Sequence, residues 1–323
     1  LVTDTSRLAE HVRQGLSAPQ KRLSSLYFYD DEGSRIFAEI MVLPEYYLTR
    51  CEREILQHRG AEIARWISEG ARAIDLVELG SGDGSKTIEL LTTLAQAHAS
   101  LVYRPLDVSG AALDALVRGF KASLPNLRIE ALCGDYFELW PDVRRDARQV
   151  AMFLGSNLGN LGHDVSVSLL RRIRSRLRSG DCLLLGLDLK KHPRLVLAAY
   201  DDAAGVTARF NLNLLLRLNR ELGMDFDVAE FEHYATYCPL EGAARSFLVS
   251  RRAQRVTSSV LGQVFSFAEG ETIYVEQSKK YDTAEIDALA AASGFTPEVS
   301  FCDRRGFYEV VAWRALAESN TAQ

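Results

Sequence analysis

Glu78-Leu79-Gly80-Ser81-Gly82-Asp83-Gly84-Ser85-Lys86-Thr87 is the stretch best suited to hold a ligand. Its three glycines let the backbone turn tightly and come close to a bound molecule. Three ligands compete for it. A dinucleotide wants G-x-G-x-x-G/A, with a pyrophosphate on the following helix N-terminus. Here the third glycine comes one residue early, and Glu78 and Asp83 would crowd a diphosphate. A P-loop wants G-x-x-x-x-G-K-[ST], but Ser85 replaces its second glycine ahead of Lys86-Thr87, which leaves the phosphate cradle incomplete. S-adenosylmethionine (SAM) has no phosphate, only a sulfonium and an ammonium, and an acid followed by G-x-G-x-G suits that charge pattern. Asp107, at the end of the next apolar run, would accept the ribose hydroxyls, and Gly134-Asp135-Tyr136 falls near the adenine. Taken singly, each acid is more simply a solvated loop residue. Three at consecutive strand ends favour SAM over the two nucleotide readings, with Glu78, Gly80, Gly82, Asp107 and Asp135 against the donor.

Alternating strands and helices must carry these residues. Ile74 to Leu79 reads as a strand, and Ser85 to Ala97 as a helix with Ile88, Leu91 and Leu94 on one face. The series continues with strand 101–106, helix 110–123, strands 127–132 and 150–154, helix 165–177 and strand 181–187. Strands that are mostly apolar and alternate with helices predict a parallel sheet covered on both faces. After Asp188 the rhythm changes. A long helix is predicted over 206–222, with Phe210, Leu214, Leu218 and Leu222 stacked at spacings of four, and strands over 231–237, 245–252 and 271–277. The alternation resumes at Thr283 with a helix, then strands at 298–303 and 307–313 like the hairpin that closes many methyl-transferring sheets. The expected fold is α/β. A Rossmann-like core spans 55–188 and 281–323, and a second, α+β lobe for the substrate spans 1–54 and 189–280.

The 323 residues suffice for two domains. With 47% hydrophobic and 25% charged residues, the chain can bury a full core. Its net charge of −5, from 38 Lys plus Arg against 43 Asp plus Glu, argues against nucleic acid as a partner. Five scattered cysteines without a C-x-x-C pair, and histidines without H-E-x-x-H, predict neither a disulfide framework nor a metal site. No apolar run approaches the roughly 20 residues of a membrane helix, and the polar N-terminal stretch has no signal-peptide core. A cytoplasmic, monomeric, small-molecule enzyme is expected. The arginines at 171, 172, 174, 176 and 178 are most simply a solvated helix face.

Several further motifs occur in order: Tyr27-Phe28-Tyr29-Asp30, Leu43-Pro44-Glu45-Tyr46-Tyr47, the glycine loop, Phe153-Leu154-Gly155-Ser156-Asn157-Leu158-Gly159-Asn160-Leu161, Ala199-Tyr200-Asp201-Asp202-Ala203-Ala204-Gly205-Val206-Thr207 and Glu276-Gln277-Ser278. From about residue 20 to the C-terminus the chain thereby resembles the histidine-specific, SAM-dependent methyltransferases of ergothioneine biosynthesis, which trimethylate the α-amino group of L-histidine to hercynine. The resemblance implies a class I methyltransferase core in which Gly80, Lys86, Asp107, Asp135 and Tyr136 contact SAM. It implies that Tyr29, Tyr46, Asn160 and Tyr200 hold the ammonium and carboxylate of the amino acid, with Asn160 and Tyr29 at the reacting nitrogen. Glu276 and Ser278 would read the imidazole.

The residue chemistry is compatible with these roles. Asn160 offers two donors and an acceptor, enough for both an amine and a carboxylate, although an N-L-G-N stretch by itself is more often a turn. Glu276 and Ser278, two apart on a strand, face the same side and can meet the two ring nitrogens; the plainer alternative is an exposed strand face beside Lys279 and Lys280. The tyrosines could equally be packing residues with solvated hydroxyls. The chain departs from the family pattern in two places. Ser246 stands where the better-known members carry a Met against the imidazole, and Ser-Asn-Leu-Gly-Asn replaces Ser-Thr-Ile-Gly-Asn. Glu276-x-Ser278 still argues for histidine, because a purely aromatic substrate would leave a buried carboxylate unpaired. The alternatives are a related N-methyltransferase for another aromatic amino acid or indole amine, and a SAM- or nucleotide-binding module without catalysis.

Overall fold

In the computed structural model, which describes residues 5–98 and 100–315, α1 (Thr5–Ser17), α2 (Asp31–Ile40) and α3 (Leu48–Ser68) precede the first strand. An alternation follows: β1 (Ile74–Leu79), α4 (Thr87–Ala97), β2 (Leu101–Asp107), α5 (Gly110–Ser123), β3 (Arg128–Ile129), β4 (Leu132–Cys133), β5 (Arg148–Phe153), α6 (His163–Arg176) and β6 (Cys182–Asp188). Next come α7 (Pro193–Ala198), α8 (Val206–Leu222), β7 (Phe231–Cys238), β8 (Ala243–Ser250), β9 (Gln254–Ser258), β10 (Gln263–Phe267) and β11 (Thr272–Lys279). The last elements are α9 (Thr283–Ser293), β12 (Phe295–Cys302) and β13 (Tyr308–Ala315). Two compact units result. One runs up to Tyr47 and again over Lys191–Lys279; the other covers Leu48–Lys190 and the chain from Lys280 onward. The boundary expected between 54 and 55 falls inside α3, which is one unbroken helix. The outer ends of the segments expected at 1–54 and 281–323 lie outside the described residues.

The unit that starts at Leu48 is built on a sheet in the order β12-β13-β6-β5-β1-β2-β3, with β4 also paired to β2. β1 lies parallel to β2 and β5, and β5 parallel to β6, whereas β13 is antiparallel to both β6 and β12. This is the Rossmann-like core with its closing hairpin. β1 and β6 are buried along their whole length, as central parallel strands should be. Val77, Phe153, Leu185 and Trp313 pack with Leu169 and Ile173 of α6 and Leu289 of α9. The one charge at the start of β1, Asp75, is fully buried and held by Arg104 and Arg144, with Arg144 Nε 2.6 Å from Asp75 Oδ1. A buried charge is tolerable only when paired in this way. The single strand expected over 127–132 is two short pieces instead. They are interrupted where Glu130 turns its carboxylate to Arg104 and Arg128.

The other unit holds the antiparallel sheet β11-β8-β7 and the hairpin β9–β10. Phe210, Leu214, Leu218 and Leu222 of α8 form its core with Phe28, Leu248 and Ile273. Glycines set both ends of α8, Gly205 at φ 71° and Gly223 at φ 54°, conformations that cost a side-chain-bearing residue free energy. The Asp202 carboxylate accepts the Val206 and Thr207 N–H groups at 2.9 and 2.7 Å, satisfying donors that the first helical turn leaves open. Among the described residues, no helix is long and apolar enough to cross a membrane.

Candidate functional site

The glycine loop leaves β1 with Gly80, Gly82 and Gly84 all left-handed, at φ 66°, 55° and 69°. It closes onto β2: Gly80 N–H donates to the Leu106 carbonyl at 2.8 Å, and Gly82 N–H to Asp107 Oδ2 at 2.8 Å. The other Asp107 oxygen takes the Ser109 N–H at 2.9 Å. Burial pushes the Asp107 carboxyl up, against backbone N–H groups that favour its charge. A carboxylate has about four lone-pair sites, more than these backbone donors fill, which leaves room for a further donor. A Cβ at Gly82 would meet nothing within 4 Å, and the buried Ser81 hydroxyl has no partner among the described residues. At the next strand end, Asp135 accepts the Phe137 N–H at 2.9 Å, and the Tyr136 ring meets Phe153 edge-on at 5.4 Å.

Glu78 behaves differently from the expectation that it meets the donor. It is 3% exposed, and its two oxygens take the hydroxyls of Thr87, at 2.6 Å, and Tyr103. Burial pushes its carboxyl up to about 7, against these hydrogen bonds and the Lys86 charge. It fastens β1 to the start of α4 and to β2 from within. Lys86 pairs with Glu52 of α3.

Asn160 ends a 3-10 turn, Asn157–Asn160, reached from β5 through two left-handed residues, Gly155 at φ 78° and Ser156 at φ 58°. Ser156 is the one non-glycine residue with positive φ among those described, a conformation that costs on the order of 1 kcal/mol. Its hydroxyl receives the Asp188 N–H at 3.2 Å. The Asn160 amide is half-buried and makes no hydrogen bond to the described residues.

The remaining candidates lie in the unit containing α8. Tyr29 and Tyr46 both pack edge-on against Phe37, with ring centres 5.4 and 6.1 Å away, and Tyr46 meets Tyr200 at 6.4 Å. Phe210 completes the cluster, 5.6 Å from Tyr29. The Tyr200 hydroxyl donates to Ser278 Oγ at 2.7 Å. On β11, Glu276 follows a bulge and pairs across the sheet with Ser246 of β8, which in turn faces Ala235 of β7. Directly paired residues share a face, so Glu276, Ser278 and Ser246 look the same way. Ser246 is 1% exposed, and its hydroxyl has no partner among the described residues. His233, two positions before Ala235, is half-buried, its Nε2 is shut off from solvent with no partner among the described residues, and desolvation holds its imidazole below the usual value.

The structure therefore gathers Tyr29, Tyr46, Tyr200, Glu276 and Ser278 in one unit. Gly80, Gly82, Lys86, Asp107, Asp135, Tyr136 and Asn160 lie in the other. Sequence reasoning missed Glu52, Thr87, Tyr103, Tyr308 and the strained Ser156. Only the last carries a local signal, a serine placed after glycine at the end of a buried strand.

A family model described as "Histidine-specific methyltransferase, SAM-dependent" matches residues 8–315. The chain is 40% identical to the histidine N-alpha-methyltransferase of Mycolicibacterium smegmatis over 89% of its length and 88% of that protein's. It is 39% identical to the protein of the same name from Mycobacterium tuberculosis, with the same coverage. Ergothioneine biosynthesis protein 1 of Schizosaccharomyces pombe is 28% identical over 88% of this chain and 38% of its own length.

Proposed function

The chain belongs to the histidine-specific, SAM-dependent methyltransferases, and from that footing we propose that it methylates the α-amino nitrogen of L-histidine three times to give hercynine, a step of ergothioneine biosynthesis. The observation that carries this is the row on β11. Glu276 and Ser278 share a face, and Tyr200 donates into Ser278 Oγ. Ser278 supplies a hydroxyl, which can donate or accept, for one ring nitrogen, and Glu276 a carboxylate for the N–H of the other. A carboxylate and a hydroxyl so placed match a neutral imidazole, which has one donor and one acceptor. An indole would use the carboxylate alone.

The glycine loop suits SAM on its own geometry. Open space over Gly82, the unpartnered Ser81 hydroxyl and the remaining lone pairs of Asp107 are what a phosphate-free ligand with a diol needs. Gly80, Gly82, Lys86, Asp107, Asp135 and Tyr136 are assigned to it, with Glu78 bracing the loop. When bound, SAM supplies a methyl group on a sulfonium, and its transfer to an amine needs alignment more than acid–base chemistry. Tyr29, Tyr46, Asn160 and Tyr200 hold the ammonium and carboxylate and aim the nitrogen lone pair. Such alignment can lower a barrier by roughly 7–11 kcal/mol in favourable cases. The amine proton is lost to water. The enzyme is taken to be a cytoplasmic monomer that uses neither metal nor nucleic acid.

Mass spectrometry after incubation with histidine and excess SAM tests this, with tryptophan, tyrosine and histamine in parallel. Mono-, di- and trimethylhistidine are expected. Methylation of another amino acid in preference to histidine would overturn the substrate, and no methylated product at all would overturn the activity.

A further inference from the structure

A buried acid in the unit with the parallel sheet has no part in the ligand assignments. Glu52 of α3 is 0% exposed. Its Oε1 accepts the Gly155 N–H and the Tyr308 hydroxyl, each at 2.7 Å, and its Oε2 takes the Lys86 ammonium. All three partners are donors, so an ionised, acceptor-only carboxylate fits them. The space is made for it: a Cβ at Gly186 would lie 2.3 Å from Oε1. Well-packed apolar residues in place of a buried ion pair often stabilise a fold as much or more, so stability alone does not call for this charge.

What Glu52 joins is specific. Lys86 ends the glycine loop, immediately before α4. Gly155 opens the turn that leads through Ser156 to Asn160. The two segments already face each other, since Cβ atoms built on Gly80 and Gly155 would come 3.3 and 3.4 Å from the same Asn157 Nδ2. One carboxylate therefore sets the spacing between the loop assigned to the methyl donor and the turn that carries Asn160. We infer that Glu52 is a positioning residue for methyl transfer, acting through Lys86 on one side and Gly155 on the other. The inference rests on the assignment of those two segments to donor and amino acid.

Glu52→Gln, Lys86→Met and the double variant, made in the full chain, test it by calorimetry with SAM and by steady-state kinetics with histidine. Glu52→Gln keeps the shape but sets an amide donor against the Lys86 ammonium. It should weaken SAM binding about tenfold, in line with loss of a charge-assisted contact. It should also lower kcat at saturating SAM about 100-fold, the cost of a misplacement near 1 Å. The double variant should bind SAM no more weakly than Lys86→Met alone, because the lost pair is shared. Glu52→Asp, which keeps the charge but falls one methylene short, should show a kcat loss of the same order and serves if Glu52→Gln does not fold. A purely structural Glu52 would lower only the unfolding midpoint. SAM affinity and kcat within twofold of the wild type in folded Glu52→Gln or Glu52→Asp would overturn the inference, as would additive losses in the double variant. If the wild type binds SAM but leaves histidine unmethylated, the functional assignment falls, while the calorimetry still decides whether Glu52 governs Lys86.

Discussion

An amide side chain presents its donors and its acceptor in one plane, and Asn160 does so from a turn whose entry is locked by Gly155 and Ser156. If its part is the alignment proposed above, Asn160→Ala should lower kcat at least 100-fold, the scale of a small misplacement of reactants, while SAM affinity by calorimetry stays within twofold. Retained turnover would remove Asn160 from the site. The part proposed for Glu276 is different: recognition. A hydrogen bond to a charged group is worth about 2 kcal/mol, so Glu276→Ala should reduce kcat/KM for histidine about thirtyfold and narrow its lead over tryptophan. Unchanged discrimination would overturn the imidazole-reading role. Ser246 makes a third case, since its buried hydroxyl lacks a partner. An unsatisfied hydroxyl costs about 1–3 kcal/mol, so Ser246→Ala should make the ligand-free protein more stable in urea unfolding, by about 1 kcal/mol. A loss of stability would mean that the hydroxyl is already satisfied. At this scale the sequence made motif residues legible, because Glu276-x-Ser278 and the glycine loop are local patterns. The family resemblance puts Ser246 and Glu276 at the same imidazole, but no local pattern reveals that they are paired across the sheet. That pairing is a register between strands about thirty residues apart, and register depends on both strands and the turn geometry.

Elements bounded by their own residues were the easiest to read. α8 runs over 206–222 as expected because Gly205 and Gly223 punctuate it, and α5 begins at Gly110 behind its Ser109 cap. The helices α1 to α3 and the hairpin β9–β10 were not anticipated. The apolar residues of the helices lie among many charges and the hairpin strands are only five residues each, so that packing decides which face is inside. Glu78 illustrates the same limit. An acid closing a strand reads as a ligand contact, yet Tyr103, from the neighbouring strand, turns it inward. This has a measurable consequence. The carboxyl, ordinarily near 4.5, is pushed up to about 7 by burial. Between those values the folded chain keeps a proton that the unfolded chain has lost. The group's contribution is therefore full below about pH 4.5 and fades as the pH rises toward 7, by about 3 kcal/mol in all. Glu78→Gln cannot titrate, so its stability relative to the wild type should grow from about pH 5 to about pH 8 in urea unfolding. A difference that is constant across that range would show that Glu78 is ionised throughout.

At the scale of the whole molecule, each unit carries its own apolar core, one around Phe210, Leu218 and Leu248 and the other around Phe153, Leu185 and Trp313. The chain passes from one unit to the other at residues 47–48, 190–191 and 279–280. The sequence reads as interleaved segments because the strand–helix rhythm stops after Asp188 and resumes at Thr283, whereas α3 runs unbroken over Leu48–Ser68 and gives no local sign of a change. The residues proposed for the donor belong to one unit and those proposed to read the ring to the other, so the two ligands should leave different marks on backbone exchange. A ligand that binds only the folded state stabilises it by about 2.7 kcal/mol at 100 times its Kd, and local openings within its own site are suppressed first. SAM alone should therefore slow hydrogen exchange over 80–86, 107–110 and 134–138, with β8 and β11 unchanged. Histidine added to a complex with S-adenosylhomocysteine, which cannot transfer a methyl group, should slow exchange over 155–161 and along β8 and β11. If histidine protects only the glycine loop, or if SAM protects β11 and leaves the glycine loop untouched, the division of labour between the units is wrong.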